Sequence, residues 1–303
     1  MAVIVDVSQV MISGVCIAYS KHKDSLNEDM IRNMFLNSVK SLRSRYISQY
    51  GEPFILACDG RDYWRKTESS FYKSQRASGR AASPMDWTMI YASLDKIYQE
   101  MQDYFPYPLI KVKGAEADDV ISVLAKYFNE NEFEWDGLQE SKQKVLIISN
   151  DMDFIQLQEY DNVYQYSPGK RKFLKEPNPR AARFEKFIRG DKGDGITNMF
   201  SPAHCFDTGT RQNSCIGAEV ERIVNSLVTT DKLPDDLETH LVEGYERNKH
   251  LIDLVDLQLP KEISTAIIDA YKSHDSGAKG TGTIYNYMIK YRLKNLIRDV
   301  NKF

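Results

Sequence analysis

The chain reads as an α/β protein: a central, twisted, mostly parallel sheet with helices on both faces, followed by a C-terminal helical domain. Three observations predict this. Short apolar runs of strand character alternate with longer amphipathic runs up to about residue 180, the rhythm of βαβ units. Three of the apolar runs close on aspartate: AVIVD at Asp6, PFILACD at Asp59 and KVLIISNDMD at Asp151 and Asp153. From about Arg183 the alternation stops, and helical segments separated by polar loops continue to the end. We therefore place a boundary near residue 180, with domains at 1–180 and 181–303.

The elements follow in order. Strands are expected at 2–6, 53–58, 108–112 and 144–149, and helical patterns at 27–49, 86–104 and 117–129. Asn162 to Leu174 reads as a β-hairpin turning at Ser167-Pro168-Gly169. The Gly-rich run SHDSGAKGTGT from Ser273 is expected as a flexible loop before a closing helix. No internal repeat or low-complexity tract interrupts the pattern.

Composition narrows the class. At 303 residues the chain holds one large α/β domain and a smaller one. No apolar run approaches the ~20 residues of a membrane span, and a strand starts at the N-terminus, so neither a membrane segment nor a signal peptide is expected. Cys16, Cys58, Cys205 and Cys215 lack metal-type spacing and imply no disulfide framework, so we expect reduced thiols and a cytoplasmic setting. The five histidines are scattered.

Aspartates at strand ends acquire meaning as a set. In an open parallel sheet all strands present their C-terminal ends at one edge, so these side chains converge on one crevice. GAEADD adds Glu116, Asp118 and Asp119 ahead of the helical VISVLAKYF. A lone strand-end aspartate is usually a turn or cap residue, and acids in a first helical turn complement the macrodipole. Neither explains carboxylates delivered from several strands, whose repulsion divalent cations would relieve. Hard oxygen ligands without Cys or His point to Mg²⁺, with Mn²⁺ able to substitute.

The net charge of −3 hides two basic stretches. Arg61, Arg65, Lys66, Lys73, Arg76 and Arg80 are interleaved with Tyr63, Trp64, Phe71 and Tyr72; the second stretch runs from Lys170 to Lys192 and includes Lys186 and Arg189. Charge runs often only solvate a surface. Beside an acidic crevice they suit a nucleic acid, with cations meeting phosphates and rings stacking on unpaired bases.

The motifs VIVDVSQ, CDGRDYWR, FYKSQR, EADDVISVL, IISNDMDF and RGDKGDGI, in that order, resemble the 5′ nucleases: flap endonucleases and the 5′-exonuclease domains of bacterial polymerases. Tyr63-Trp64-Arg65, Tyr166-Ser167-Pro168 and Gly282-Thr283-Ile284-Tyr285 resemble the family's T-even bacteriophage ribonuclease H branch, and the likeness spans the whole chain. It implies a PIN-like core and two Mg²⁺ ions. Asp6, Asp59, Glu116 and Asp118 match the first metal site; Asp151, Asp153 and Asp194 match the second, with Asp119 and Asp191 as outer ligands. Tyr72 and Lys73 match a pair in the arch, here about 60–85, with Lys73 near the scissile phosphate. The catalytic set is then Lys73, Asp6, Asp59, Asp118 and Asp153. Arg65, Tyr72, Lys73, Arg76, Arg80, Lys186, Arg189 and Lys192 are expected on the nucleic acid, with Arg211 a further candidate.

The resemblance implies removal of RNA primers and adjacent DNA, cutting of 5′ flaps and forks, action on nicked duplex and RNA-DNA hybrid, a monomer, and a sliding clamp and single-stranded-DNA-binding protein as possible partners. A phage-encoded chain would work in the host cytoplasm. After Gly195-Ile196 the chain departs from the family's glycine-rich duplex-gripping turn. Two alternatives are a PIN-type ribonuclease, which leaves the 61–80 segment and the C-terminal residues unexplained, and a non-catalytic DNA-binding protein, which has no reason to keep mutually repelling carboxylates. A haloacid-dehalogenase-type phosphatase needs two aspartates flanking one residue, and Asp6-Val7-Ser8 fails that test.

Overall fold

A computed structural model describes residues 1–21, 26–135, 138–274 and 279–303. Six strands form one sheet in the order β3-β2-β1-β6-β7-β8. These are β1 (Ala2–Asp6), β2 (Phe54–Ala57), β3 (Leu109–Ile110), β6 (Val145–Ile148), β7 (Val163–Ser167) and β8 (Lys172–Leu174). All run parallel except β8, which returns from β7 as the expected hairpin. A separate antiparallel pair, β4 (Glu132–Trp135) and β5 (Leu138–Lys142), was not anticipated: EFEW alternates over only four residues and LQESK holds a single apolar residue, too short a pattern to read as strands. Expected strand 108–112 shrinks to two residues because it lies at the sheet edge and pairs only with β2.

The helices are α1 (Val7–Lys21), α2 (Glu28–Tyr50), α3 (Trp64–Glu68), α4 (Ser74–Ala81), α5 (Trp87–Tyr104), α6 (Ala117–Glu130), α7 (Pro179–Arg189), α8 (Cys205–Thr208), α9 (Gly217–Thr230), α10 (Thr239–Ile252), α11 (Lys261–Lys272), α12 (Thr281–Lys290) and α13 (Lys294–Ile297). Local chemistry sets several starts: Asn27 and Asp86 accept the backbone N–H of Met30 and Met89 as N-caps of α2 and α5, and Asn178 caps α7 ahead of Pro179. Of the expected Gly-rich loop, residues 275–278 lie outside the described residues, and Gly280 is already the N-cap of α12.

Side chains alternate across the sheet. Val3, Val5, Phe54, Leu56, Leu146 and Ile148 enter one core with α2, α5 and α12; Ala2, Ile4, Ile55, Val145 and Ile147 enter a second with α6 and α11. A third core lies among α7, α9 and α10, and includes Phe187, Ile223 and Tyr245. The last segments return to the sheet: Ile267 joins the second core, and Tyr287, Leu296 and Phe303 join the first. Strand order runs outward from β1 through β2 and β3 on one side and from β6 through β7 on the other. The switch point is the gap between β1 and β6, and ligands of open α/β sheets bind beyond the strand C-termini there.

Candidate active site

Asp6 ends β1 at that switch point and is 3% exposed. Its Oδ1 accepts the Gln9 N–H at 3.0 Å and its Oδ2 the Ser149 hydroxyl at 2.8 Å. Both donors are neutral. Burial, with added repulsion from Asp59 and Asp151, pushes the Asp6 carboxyl up to about 7. Asp59 follows β2; its backbone N–H donates to Ser8 Oγ at 3.1 Å and its Oδ1 accepts the Ala117 N–H at 2.9 Å. This second bond ties the end of β2 to the first turn of α6, where Glu116 is the N-cap residue.

Asp118 is raised well above the ordinary carboxylate value, by burial first and then by Asp151, with Lys73 opposing and Asp6 and Glu116 adding. Ser149 Oγ also accepts the Asp151 N–H at 3.0 Å, and Asp151 Oδ1 accepts the Asp153 N–H at 2.9 Å, so one hydroxyl and one carboxylate shape the turn after β6. Burial and Asp151 push Asp153 up to about 6, against the pull of Lys186. Asp118, Asp153, Asp191 and Asp194 line one narrow recess together with Arg65 and Tyr72. A cavity of about 500 Å³, lined by Arg43, Pro53, Tyr107 and His274 among others, lies where β2 and β3 begin, away from every one of these carboxylates.

On the opposite wall, carboxylates meet the protein's own cations. Glu116 Oε1 is 2.5 Å from Lys73 Nζ, and its Oε2 is 3.0 Å from Arg65 and 2.8 Å from the Tyr72 hydroxyl that donates to it. Burial would raise Glu116, but Lys73 and Arg65 outweigh it and hold it below the ordinary range. Asp194 takes Arg76 at 2.5 Å and the Tyr72 hydroxyl at 3.1 Å, with Lys73 at 3.5 Å. Lys186 bridges Asp153 and Asp191, 2.6 Å from each. Burial opposes the charge on Lys73 and Lys186, yet the carboxylates prevail and raise both, so both stay protonated at neutral pH.

The backbone stitches the 61–81 segment to the C-terminal turn. Lys73 N–H donates to Asp194 O at 2.7 Å. Gly195, at φ 76°, passes so close that a Cβ there would lie 2.6 Å from Phe71 O, and Gly190, at φ 69°, leaves no room for one beside Thr197 O. Asp191 pairs with Ile196 as a β-bridge, and its Oδ1 accepts the Asp194 N–H at 3.1 Å, closing the RGDKGDGI turn.

Three expectations are corrected here. Arg65, expected on nucleic acid, is 2% exposed and spans Glu116, Asp119 and the Leu251 carbonyl, because its chain position faces the EADD turn from inside. Tyr72, 3% exposed, packs in the third core and points its hydroxyl at two carboxylates, so its ring is closed to a base. Asp119, expected as an outer metal ligand, is fully buried: it accepts the Glu116 N–H and Trp64 indole N–H and pairs with Arg65 at 2.7 Å. Ser8, Ser149 and Gln9, which set the aspartates, went unnoticed in the sequence; a serine within two residues of the end of β1 and of β6 was the available signal.

Among the described residues no three carboxylates already stand close enough to share one ion, because Glu116, Asp153, Asp191 and Asp194 turn to Lys73, Arg76 and Lys186. The donor set nevertheless fits hard divalent cations. Asp6 is a buried carboxylate with only neutral donors and further carboxylates around it, which is the environment such a cation stabilises. Lys73, Arg76 and Lys186 stand at the rim, while Arg189, Lys192 and Arg211 are exposed beyond it and Arg80 is half-buried.

Comparison with known proteins agrees with this arrangement. Residues 3–185 match the 5′-3′ exonuclease N-terminal resolvase-like domain, and residues 179–303 match the T4 RNase H C-terminal domain. The chain is 30% identical to ribonuclease H of Enterobacteria phage T4, covering 99% of this chain and 95% of that protein. Its fold matches the bacteriophage T5 flap endonuclease in a pseudo-enzyme-product complex with DNA and metal ions, at TM-score 0.59 and 17% identity over 100% of this chain and 99% of that one. The T5 5′-exonuclease with bound zinc ions matches at TM-score 0.59 and 18% identity, over 97% and 99% of the two chains.

Proposed function

This chain belongs to the 5′-3′ exonuclease family, and from that premise we propose that it is a structure-specific 5′ to 3′ nuclease that removes RNA primers and adjacent DNA and cuts 5′ flaps and forks by metal-dependent phosphodiester hydrolysis. The observation that supports this best is the crevice itself: carboxylates from three strand ends and the start of α6 converge where Lys73, Arg76 and Lys186 wait at the rim. Mg²⁺ is the proposed cofactor, two ions per site with Mn²⁺ able to replace it. Asp6, Asp59 and Asp118, with Glu116 beside them, would hold the first, and Asp151, Asp153 and Asp194, with Asp191, the second. Bound there, such ions activate a water and stabilise the attacking and leaving oxygens.

The protein's own groups do the rest. Lys73 stays charged and lies at the crevice, so it can swing from Glu116 to a phosphate oxygen and stabilise the charge that develops during cleavage. Arg65 and Tyr72 act as positioning residues: they keep Glu116 and Asp194 fixed from behind while the front of the crevice receives substrate. Lys186, Arg189 and Lys192 extend a cationic edge for the duplex backbone, and Arg76 and Arg80 one for the single strand. We divide the chain near residue 180 into a nuclease part and a DNA-binding helical part, of which α7, α9 and α10 share a core of their own while α11 to α13 pack back on the sheet. We further propose a monomer that works in the host cytoplasm, with a sliding clamp and a single-stranded-DNA-binding protein as partners.

The test is digestion of a 5′-labelled flap, a nicked duplex and an RNA-DNA hybrid side by side, with Mg²⁺ and with excess chelator. Cleavage that starts at 5′ ends and stops without the ion is expected. Full activity in chelator would overturn the metal reading, and no cleavage of any substrate would overturn the nuclease reading.

A further inference from the structure

Not all aromatic residues between 63 and 91 serve the cores. Trp64 and Tyr72 are 5% and 3% exposed and enclosed by protein. Tyr63 is half-buried, Trp87 is half-buried with part of its ring packed against the first core, and Tyr91 is 43% exposed although large and apolar. Helix α5 leads into β3, a parallel strand, so it runs back from the edge where Asp6 and Asp59 lie. Its first turns, which carry Trp87 and Tyr91, therefore stand at the catalytic edge.

The rings form a sequence toward the crevice. Trp87 and Tyr91 are 5.9 Å apart between centroids with their planes 30° from parallel, and the Trp87 indole N–H is buried without a hydrogen-bond partner among the described residues. Arg61, two residues before Tyr63, is 2.5 Å from Asp95, which lies one turn beyond Tyr91 on α5, so the segment that carries Tyr63 is held against that helix. Cations flank this inner end: Lys66 Nζ is 5.1 Å and Lys73 Nζ 6.0 Å from the Tyr63 ring centroid, and Lys73 is the residue that touches Glu116. The acids nearby are spent, Asp86 on the cap of α5 and Asp95 on Arg61 and Lys111.

We propose that Trp87, Tyr91 and Tyr63 form a stacking track that receives unpaired bases of the 5′ strand and leads its phosphates to Lys73. The inference rests on the nuclease reading and names how that site takes its strand. Unpaired bases offer π-faces to such rings whatever their sequence, while base-paired duplex does not, and the lysines beside the rings match the backbone between the bases. The track would thus favour substrates with a single-stranded 5′ end without selecting a sequence.

The test compares a 5′-tailed fork with a tailless nicked duplex in single-turnover cleavage with Mg²⁺, using wild type, Tyr91→Ala and Tyr91→Phe, each checked by thermal melting. The half-saturating enzyme concentration should rise about tenfold more on the tailed than on the tailless substrate for Tyr91→Ala, and Tyr91→Phe should restore most of it. An abasic tail should weaken wild type by a similar factor and leave Tyr91→Ala little further to lose. 2-Aminopurine in the tail should be quenched by wild type and less so by Tyr91→Ala. Equal losses on both substrates, or an abasic tail held as tightly as a normal one, overturns the track while leaving the nuclease intact. Failure of wild type to cut either substrate overturns both.

Discussion

Asp6 and Glu116 are buried carboxylates of one crevice, 3% and 1% exposed, yet they sit in opposite electrostatic states. On the floor, Asp6 has only an amide and a hydroxyl as donors and is pushed up to about 7; Asp118 beside it is also raised. On the wall, Glu116 is held low by Lys73 and Arg65, with Tyr72 adding a bond. The floor lacks a positive charge that the wall already possesses. A cation from solution therefore has most to gain at Asp6 and Asp118, while the wall's cations are free to exchange a carboxylate for a phosphate.

The largest break in that contrast comes from the floor. Asp6→Asn should slow single-turnover cleavage on the order of a thousandfold or more. Without divalent ions the same variant should melt at a higher temperature than wild type, since it removes a buried charge with no basic partner. A lower melting point would mean that Asp6 is compensated after all.

Arg65→Met probes the wall. It leaves Glu116 and Asp119 facing each other without their shared guanidinium, and loss of one partner from a buried pair costs about 3–5 kcal/mol. Denaturant unfolding measures this. An unchanged midpoint would show that Arg65 contributes nothing to the compensation.

Lys73→Ala should lower the saturated cleavage rate about a hundredfold while DNA affinity changes by less than about threefold, as expected of a charge that acts mainly on the transition state. Cleavage at the wild-type rate would remove Lys73 from the reaction. Arg76→Ala should be milder, weakening fork binding a few-fold and flattening its salt dependence by about one unit of slope. Salt titrations of binding that superimpose on wild type would exclude a phosphate contact.

The smallest effect is a pH dependence away from the crevice. Glu100 is 5% exposed; burial would raise it, but Arg32 at 2.8 Å and the Tyr287 hydroxyl at 2.7 Å hold it below 4.5. A depressed carboxylate stabilises the fold above its unfolded value and loses that contribution as pH falls through the folded one. The melting temperature should thus drop below about pH 4.5, and Glu100→Gln should blunt that drop. Parallel curves for the two proteins would refute the assignment.

Local chemistry carried far in the sequence. Strands 2–6, 54–57 and 145–148 and the 163–174 hairpin lie within a residue or two of their expected limits, because apolar runs of that length and their turn residues are read from neighbours alone. The strand-end aspartates were legible for the same reason, and the parallel-sheet rule collects them at one edge without further information. The β4-β5 pair, with only Phe133, Trp135 and Leu138 as apolar residues over two short strands, carried too little pattern to be read.

What the sequence could not decide was which charges meet. Arg65 and Tyr72 stand in a basic, aromatic stretch that reads as a nucleic-acid surface, and nothing near them says otherwise. Arg65 bonds residues 51 and 186 positions away, and Tyr72 residues 44 and 122 positions away. A side chain's partner at such separations is set by how the 61–81 segment folds over the RGDKGDGI turn, which no local propensity encodes. By itself the sequence determined the sheet, its acidic edge and the family. Only the tertiary structure sorted the basic residues into those that brace carboxylates from within and those left at the rim, because burial and pairing depend on the whole packed chain.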